Sequence, residues 1–332
     1  MWSINGTQTA GGVEFDCEFN FFIDLARMLR SPSRLLLRLN HGPLRKLSEL
    51  HALLNESALL QILPKGCNFE VHVSTQRSLL RTDILKSKAK RMLKAMLRGP
   101  TQYGSTQHIF IRVSGDKADL SIDPIGELRH KRGWRLEQGK APLRENWAAS
   151  LLLMAGWSPQ EPLIDPFCGS DTIPIEAALM AAAKSPFVQF TAAHDAWIVK
   201  MKPSSLSYQN QVTPFIQGRD HHHESLNWAK GNAKRANVDC DWVLSDVSDL
   251  QCELLNGVVI SNPPYGQRIG QNVQKCYRQL GHSLRNELPS WRALFLSPNE
   301  RLARLVDKRV KCLCTFKNGG QRVGVWILEP AE

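Results

Sequence analysis

Val258-Val259-Ile260 is an apolar run that stops abruptly at Ser261-Asn262-Pro263-Pro264-Tyr265-Gly266. A short apolar run bounded by a turn signal reads as a buried strand. Two successive prolines cannot donate to a sheet ladder, so the strand ends there. The residues beyond the strand make a rigid platform. The prolines fix φ and leave carbonyl acceptors that hold their direction. Asn262 adds a side-chain carbonyl acceptor, and Tyr265 adds a flat ring. This set suits a planar group carrying an exocyclic NH2. The Asn262 amide oxygen and the Pro263 carbonyl would accept its two hydrogens, drawing the nitrogen lone pair out of conjugation, while Tyr265 stacks on the ring.

The platform belongs to a longer alternation. Apolar patterning predicts helices over residues 144–155, 174–183, 224–236 and 272–288, and strands over 162–165, 215–220, 241–246, 257–260 and 291–297. Residues 310–316 and 322–328 flank Lys317-Asn318-Gly319-Gly320, a hairpin signal. Repeated βα units closed by a hairpin predict an α/β fold: a mostly parallel, Rossmann-like sheet with helices on both faces and a terminal antiparallel hairpin.

Polar residues stand at four successive strand ends of this half. Asp165-Pro166-Phe167-Cys168-Gly169-Ser170-Asp171-Thr172 joins the first strand to a helix. Ligands of open α/β sheets bind outside the carboxyl ends of strands, and a tight loop there lets backbone N–H groups and a helix N-terminus meet an anion. Gly169 would permit close backbone approach. Asp220 at the next strand end could accept from ribose hydroxyls, Asp246 at the third from an adenine amino group, and Asn262 ends the fourth. Taken singly, Asp165 and Asp171 also read as helix caps, and Asp220 and Asp246 as turn residues.

The first half is different. Residues 1–150 hold 23 Lys/Arg against 14 Asp/Glu, +9, whereas residues 151–332 hold 19 against 17, +2. That imbalance predicts a polyanion-binding module. Phe69, Val71 and Val73 alternate with Glu70 and His72 as in a half-buried strand. The next helix, over residues 83–98, carries Lys86, Lys88, Lys90, Arg91, Lys94 and Arg98, with Arg77 and Arg81 leading into it and only Asp83 to offset them. Internal i,i+4 pairing cannot account for so many cations, so contact with a phosphate backbone is expected. The run Arg129-His130-Lys131-Arg132-Gly133-Trp134-Arg135 adds a second basic stretch with an aromatic in it.

No apolar run approaches the roughly 18–20 residues of a membrane span, and the first residues lack the regions of a signal peptide. Eight scattered cysteines form no C-x-x-C pair, so free thiols and a cytoplasmic location are expected. No metal is expected either: His221, His222 and His223 are adjacent and would point in different directions.

Six motifs occur in order: R-H-K-R-G-W-R (129–135), A-P-L-R-E (141–145), L-L-L-M-A-G-W (151–157), D-P-F-C-G-S (165–170), I-E-A-A-L (175–179) and S-N-P-P-Y-G-Q-R-I-G (261–270). By these the second half resembles a class I S-adenosylmethionine-dependent methyltransferase of the N-P-P-Y amino-group type. The whole chain is similar to the THUMP-domain RNA guanine-N2 methyltransferases. The resemblance implies a partial ferredoxin-like region at 1–50, an α+β THUMP RNA-binding domain at 51–135 and the methyltransferase domain at 136–332.

It further implies S-adenosylmethionine held by Asp165, Phe167, Gly169, Ser170, Asp171, Asp220, Asp246 and Asn262, with Asn262, Pro263 and Tyr265 as the catalytic platform. RNA would be held by Arg77, Arg81, Lys86, Lys90, Lys94, Arg129, Lys131, Arg132, Trp134 and Arg135. The implied substrate is 23S-type ribosomal RNA. The alternatives are transfer RNA, adenine N6 methylation, or a non-catalytic RNA-binding ribosome-assembly protein. One departure stands out: the family loop usually reads G-S-G-T, and here Asp171 replaces the second glycine.

Overall fold

The polypeptide folds as two units divided between Arg129 and His130 in a computed structural model. The structure describes residues 5–9, 11–55, 59–100, 106–123, 126, 128–137, 139, 142–184, 214–265, 273–318 and 320–330. The Gly266–Gly270 part of the S-N-P-P-Y-G-Q-R-I-G motif lies outside them.

The first unit runs β1 (Gly6–Thr9), β2 (Gly12–Phe15), α1 (Phe19–Met28), β3 (Leu37–Pro43), α2 (Leu50–Asn55), α3 (Leu59–Ile62), β4 (Asn68–Gln76), α4 (Thr82–Met96), β5 (Thr106–Ser114) and β6 (Lys117–Ile122). β1 and β2 form an antiparallel hairpin, and the other strands form one sheet in the order β3-β6-β5-β4. β4 and β5 are parallel, joined by α4, whose Leu85, Ala89 and Leu93 are buried. Because β3 pairs with β6, a boundary at residues 50/51 would cut through a single sheet.

The charge asymmetry is also smaller than the midpoint division suggests. Residues 1–129 hold 18 Lys/Arg against 12 Asp/Glu, +6, and residues 130–332 hold 24 against 19, +5. The basic excess is concentrated on α4 rather than on a whole unit.

The second unit runs α5 (Glu145–Met154), β7 (Leu163–Asp165), α6 (Ile173–Ala181), β8 (Ile216–Asp220), α7 (His223–Ala236), β9 (Asp241–Leu244), β10 (Val258–Ser261), α8 (Val273–Asn286), β11 (Arg292–Ser297), α9 (Glu300–Val306), β12 (Lys311–Asn318) and β13 (Gln321–Leu328). Its seven strands lie in the order β12-β13-β11-β10-β7-β8-β9. β11, β10, β7, β8 and β9 are parallel to their neighbours, and the β12–β13 hairpin adds on antiparallel to β11.

Both faces of the sheet are covered, which explains the unbroken apolar strands. Val258 and Ile260 face a core shared with Leu151 and Leu152 of α5 and with Ala177 of α6. Val259 faces the opposite core, with Tyr277, Leu280 and Leu284 of α8 and Ala303 of α9. The expected α/β architecture is present, with α9 as an added short helix. Among the described residues no helix is long and apolar enough to cross a membrane.

Candidate active site

The chain order reverses at β7. From there it proceeds outward through β8 and β9, then returns to β10 on the other side of β7. Such a switch point opens a crevice at the carboxyl ends of the two flanking strands. Asp165 is the last residue of β7, and Ser261 the last of β10. Ser261 Oγ donates to Asp165 Oδ1 at 2.5 Å across this gap, and Phe167 N donates to the same oxygen at 3.1 Å. Burial raises the Asp165 carboxyl to about 7; the two hydrogen bonds pull it down and the nearby Asp220 charge pushes it up.

The four expected strand-end residues come together as four neighbours, because β10, β7, β8 and β9 are adjacent in that order. Asp220 ends β8. Its Oδ2 accepts from Gly169 N at 3.0 Å and its Oδ1 from His222 N at 2.8 Å, so it ties the 165–172 loop to the start of α7. A carboxylate offers about four lone-pair positions, which leaves capacity for a ligand hydroxyl. Asp246 follows β9 and is exposed; Ser248 N, Ser248 Oγ and Gln279 Nε2 all donate to its Oδ1. Gly169 has φ +57°, and a Cβ built on it would meet nothing within 4 Å, so the loop borders open space there. That is the cradle a ligand backbone contact requires.

One expectation about this loop is corrected. Its N–H groups were expected to face an anion, yet four of them are used inside the protein. Phe167 N and Gly169 N serve the two aspartates, Cys168 N donates to Arg219 O at 2.9 Å, and Asp171 N donates to Cys168 O at 2.8 Å. A loop this tight closes on itself to stay rigid.

Asp171 does not cap α6, whose N-cap is Thr172. Its side chain is fully buried, neither carboxylate oxygen has a hydrogen-bond partner among the described residues, and its φ is +69°. That backbone conformation is the one a glycine adopts freely and an L-residue adopts at a cost of roughly 1–2 kcal/mol. Burial holds the carboxyl well above its usual range; the Asp165 charge adds to the rise, and Arg135 partly offsets it. These surroundings favour the uncharged carboxylic acid over the carboxylate.

The N-P-P-Y turn begins at the end of β10. Asn262 follows β10 directly, and its Oδ1 is buried with no hydrogen-bond partner among the described residues. An unsatisfied buried acceptor costs about 1–3 kcal/mol. Pro263 is buried beside it. Tyr265 is half-buried against the α5 side of the core, and its hydroxyl accepts from Asn318 Nδ2 of β12 at 2.8 Å. Burial raises the Tyr265 phenol, the Asn318 bond opposing it, so the ring carries a neutral hydroxyl.

The expected RNA residues separate into two groups. Arg77, Arg81, Lys86, Lys90 and Lys94 are exposed on or before α4, and Lys131 is exposed as well. Four others are corrected because the structure turns them inward. Arg129 is buried and donates to the carbonyls of Ala26 and Leu29. Arg132 is buried and ion-paired with Glu176, Nε to Oε1 at 3.0 Å, with both side chains fully buried. Trp134 is 1% exposed and packs with Ile175, Leu179 and Ala233. Arg135 lies 3.3 Å from Glu145 Oε1 and donates to Thr172 Oγ1 at 2.5 Å. Burial lowers the Arg135 guanidinium and raises the Glu145 carboxyl, each partner pulling the other back. Arg132, Trp134 and Arg135 thus clamp α6 and the base of the 165–172 loop, whereas Arg129 bonds within the first unit.

Asn232 of α7 completes the clamp and was missed in the sequence. It is fully buried; its Nδ2 donates to Ser170 O at 3.0 Å and to Glu137 O at 3.1 Å, and its Oδ1 accepts from Leu136 N at 3.3 Å. The available signal was an Asn at a helix position flanked by Ala233 and Ala236, where an apolar residue would be expected on the buried stripe.

Comparison with known proteins agrees with this architecture. Residues 132–323 match UPF0020, the RMKL-like methyltransferase domain. The ribosomal RNA large subunit methyltransferase K/L of Vibrio cholerae is 35% identical over 230 residues, which is 64% of this chain and 32% of that protein. The chain thus spans about a third of the length of that curated relative. Among solved structures, a protein from Listeria monocytogenes described as a predicted N6-adenine-specific DNA methylase superposes with TM-score 0.84 at 26% identity, covering 98% of this chain and 90% of that one. SMU.472 complexed with SAH superposes with TM-score 0.83 at 24% identity, over 99% and 92% of the two chains. A doubly covered parallel sheet, four polar strand ends around its switch point and a family match over more than half the sequence lead to one conclusion: the chain belongs to the RMKL-like methyltransferase family.

Proposed function

We propose that this chain is an S-adenosylmethionine-dependent RNA methyltransferase acting on the exocyclic N2 of a guanine, with large-subunit ribosomal RNA as its substrate. The observation that carries the reading is the buried Oδ1 of Asn262 at the end of β10, next to the switch point, which has no hydrogen-bond partner among the described residues. A lone acceptor in a nearly water-free position is the feature an incoming amino group requires.

The residues present fit the cofactor. Open space at Gly169, spare acceptor capacity on Asp220 and the exposed Asp246 suit its main chain, ribose and adenine in turn. When bound, the cofactor supplies an electrophilic methyl group on a sulfonium. The work of the protein is positioning. Asn262 Oδ1 and the Pro263 carbonyl accept the two amino hydrogens and direct the nitrogen lone pair away from the ring system. Tyr265, fixed through its hydroxyl by Asn318, offers its ring to the base. The base has to leave its helix or loop to arrive there. After alkylation the nitrogen sheds its proton to solvent, so no protein base is assigned.

The V. cholerae relative's name supports ribosomal RNA as the substrate, and the exposed cations of α4 support a phosphate-rich partner. Eight free thiols suit action in the cytoplasm. A second reading, adenine N6 methylation, is favoured by the description of the Listeria protein and would use the same platform. The test is incubation of RNA lacking the modification with enzyme and methyl-labelled cofactor, followed by nucleoside analysis. N2-methylguanosine is expected. N6-methyladenosine would transfer the assignment to the second reading, and no labelled nucleoside from any RNA would overturn both.

A further inference from the structure

The first unit holds a cluster with no part in methyl transfer. β4 and β5 are parallel neighbours whose register sets Glu70 beside His108 and His72 beside Phe110. Period-two alternation puts these four on one face, opposite the buried Val71, Ile109 and Ile111. His72 Nε2 lies 2.8 Å from His108 Nδ1, and Glu70 Oε2 lies 3.8 Å from the first nitrogen and 3.7 Å from the second. Among the described residues this is the group of His, Cys, Asp and Glu with the spacing of a metal site.

The triangle has a definite size. A point equidistant from the three atoms lies about 2.0 Å from each, the length of Zn–N and Zn–O bonds. We propose that Glu70, His72 and His108 form a binding site for a divalent cation of the zinc type, with solvent as the fourth ligand, which ties β4 to β5.

The surroundings suit that role. The His72 ring stacks on Phe110 with centroids 4.7 Å apart and planes 19° apart, which limits its rotation. Glu70 is half exposed, so one side of the triangle is open to water and to an entering ion. Two borderline imidazole nitrogens beside one carboxylate suit zinc better than magnesium or calcium, which take oxygen ligands. Burial pushes the His72 imidazole below its usual range, with Glu70 pulling it up and His108, Arg34 and Lys86 pushing it down. A neutral ring at pH 7 is the form that ligates.

Two cations oppose an entering ion. Arg34 sits 5.2 Å over the Phe110 ring and is ion-paired with Asp123, which offsets its charge; Lys86 is exposed on α4. On binding, the proton between the two rings moves to the far nitrogen of the ring that carries it, so both facing nitrogens present lone pairs, and protonation of a ligating ring competes with the ion.

The test uses the full chain stripped with a chelator and titrated with zinc chloride by calorimetry. One equivalent is expected to bind. Binding should be lost in His72→Ala and in His108→Ala, weaken at least tenfold in Glu70→Gln, and stay unchanged in the His221→Asn, His222→Asn, His223→Asn chain. A readout on the unaltered chain covers misfolding of the histidine variants: zinc should shift the ring-nitrogen resonances of His72 and His108 and leave those of His221, His222 and His223 in place. No uptake at micromolar zinc would overturn the site, as would uptake that shifts only His221, His222 and His223.

Discussion

Ser261 Oγ and Asp165 Oδ1 are 2.5 Å apart, and this bond joins the ends of β10 and β7 at the point where the order of the sheet reverses. It fixes the separation of the loop that begins at Asp165 from the N-P-P-Y turn, which begins one residue after Ser261. Removal of the hydroxyl in Ser261→Ala is expected to cost about 1–3 kcal/mol, the range for a hydrogen bond to a charged or buried group. Denaturant midpoints measure it. Cofactor affinity should fall in the same variant, because both halves of the site lose their common reference point.

Asp165 also gives a pH signature. Its folded value is about 7, above the ordinary 3.8. A carboxyl raised on folding binds its proton more tightly in the native state, so stability falls as pH rises from about 4 to about 7 and levels off above that. Asp165→Asn keeps an acceptor for Phe167 N and Ser261 Oγ but has no proton to lose. The stability difference between variant and parent should move in the variant's favour across that window, by at most about 1.4 kcal/mol per pH unit, and stay constant above it. Urea titrations at pH 5, 6, 7 and 8 measure the difference.

Asp171 makes the opposite kind of prediction, a gain. Asp171→Gly removes a side chain from a φ of +69° and from a buried position without hydrogen-bond partners among the described residues. The expected stabilisation is about 1 kcal/mol from the backbone alone. It should grow as pH rises, since ionising this carboxyl is opposed by burial. Thermal melts at pH 5 and pH 8 read both effects. A loss of stability at both pH values would mean that the carboxyl has a partner in solution.

The two basic stretches are expected to respond differently. Lys86→Ala, Lys90→Ala and Lys94→Ala should each weaken RNA binding across all sequences and reduce the slope of log affinity against log salt by about 0.7–0.9. Arg132→Ala should break one side of the fully buried pair with Glu176 and cost about 3–5 kcal/mol of stability. In a sample kept folded at low temperature, its salt slope for RNA should match that of the parent. Filter binding at several salt concentrations, beside melting curves, separates the roles.

These residues show what a sequence can and cannot disclose. Asp165 and Asn262 were legible as strand ends because there an apolar run stops and a polar residue follows, whereas Asp220 and Asp246, at or just past strands that hold polar residues, were placed by the order of the βα units. The covered sheet was legible for the same reason, since Val258-Val259-Ile260 has no polar side to turn outward. Arg132 and Trp134 were misjudged because burial depends on a partner distant in sequence. Glu176 lies 44 residues from Arg132, and nothing near Arg132 names it. The Glu70, His72 and His108 cluster was hidden too, because only the parallel register of β4 and β5 brings residue 108 beside residue 70. Asp171 was visible as a departure, but its burial without a hydrogen-bond partner among the described residues could be found only in three dimensions.

In the proposed reaction Asn262 Oδ1 is the acceptor that orients the reacting amino group. That role is tested most directly by single-turnover methyl transfer to RNA with Asn262→Ala, at cofactor and RNA concentrations above their measured dissociation constants. The rate should fall by at least about a hundredfold, the cost of a misplaced reactant, with RNA affinity and melting temperature near those of the parent. A rate within a few-fold of the parent would contradict it.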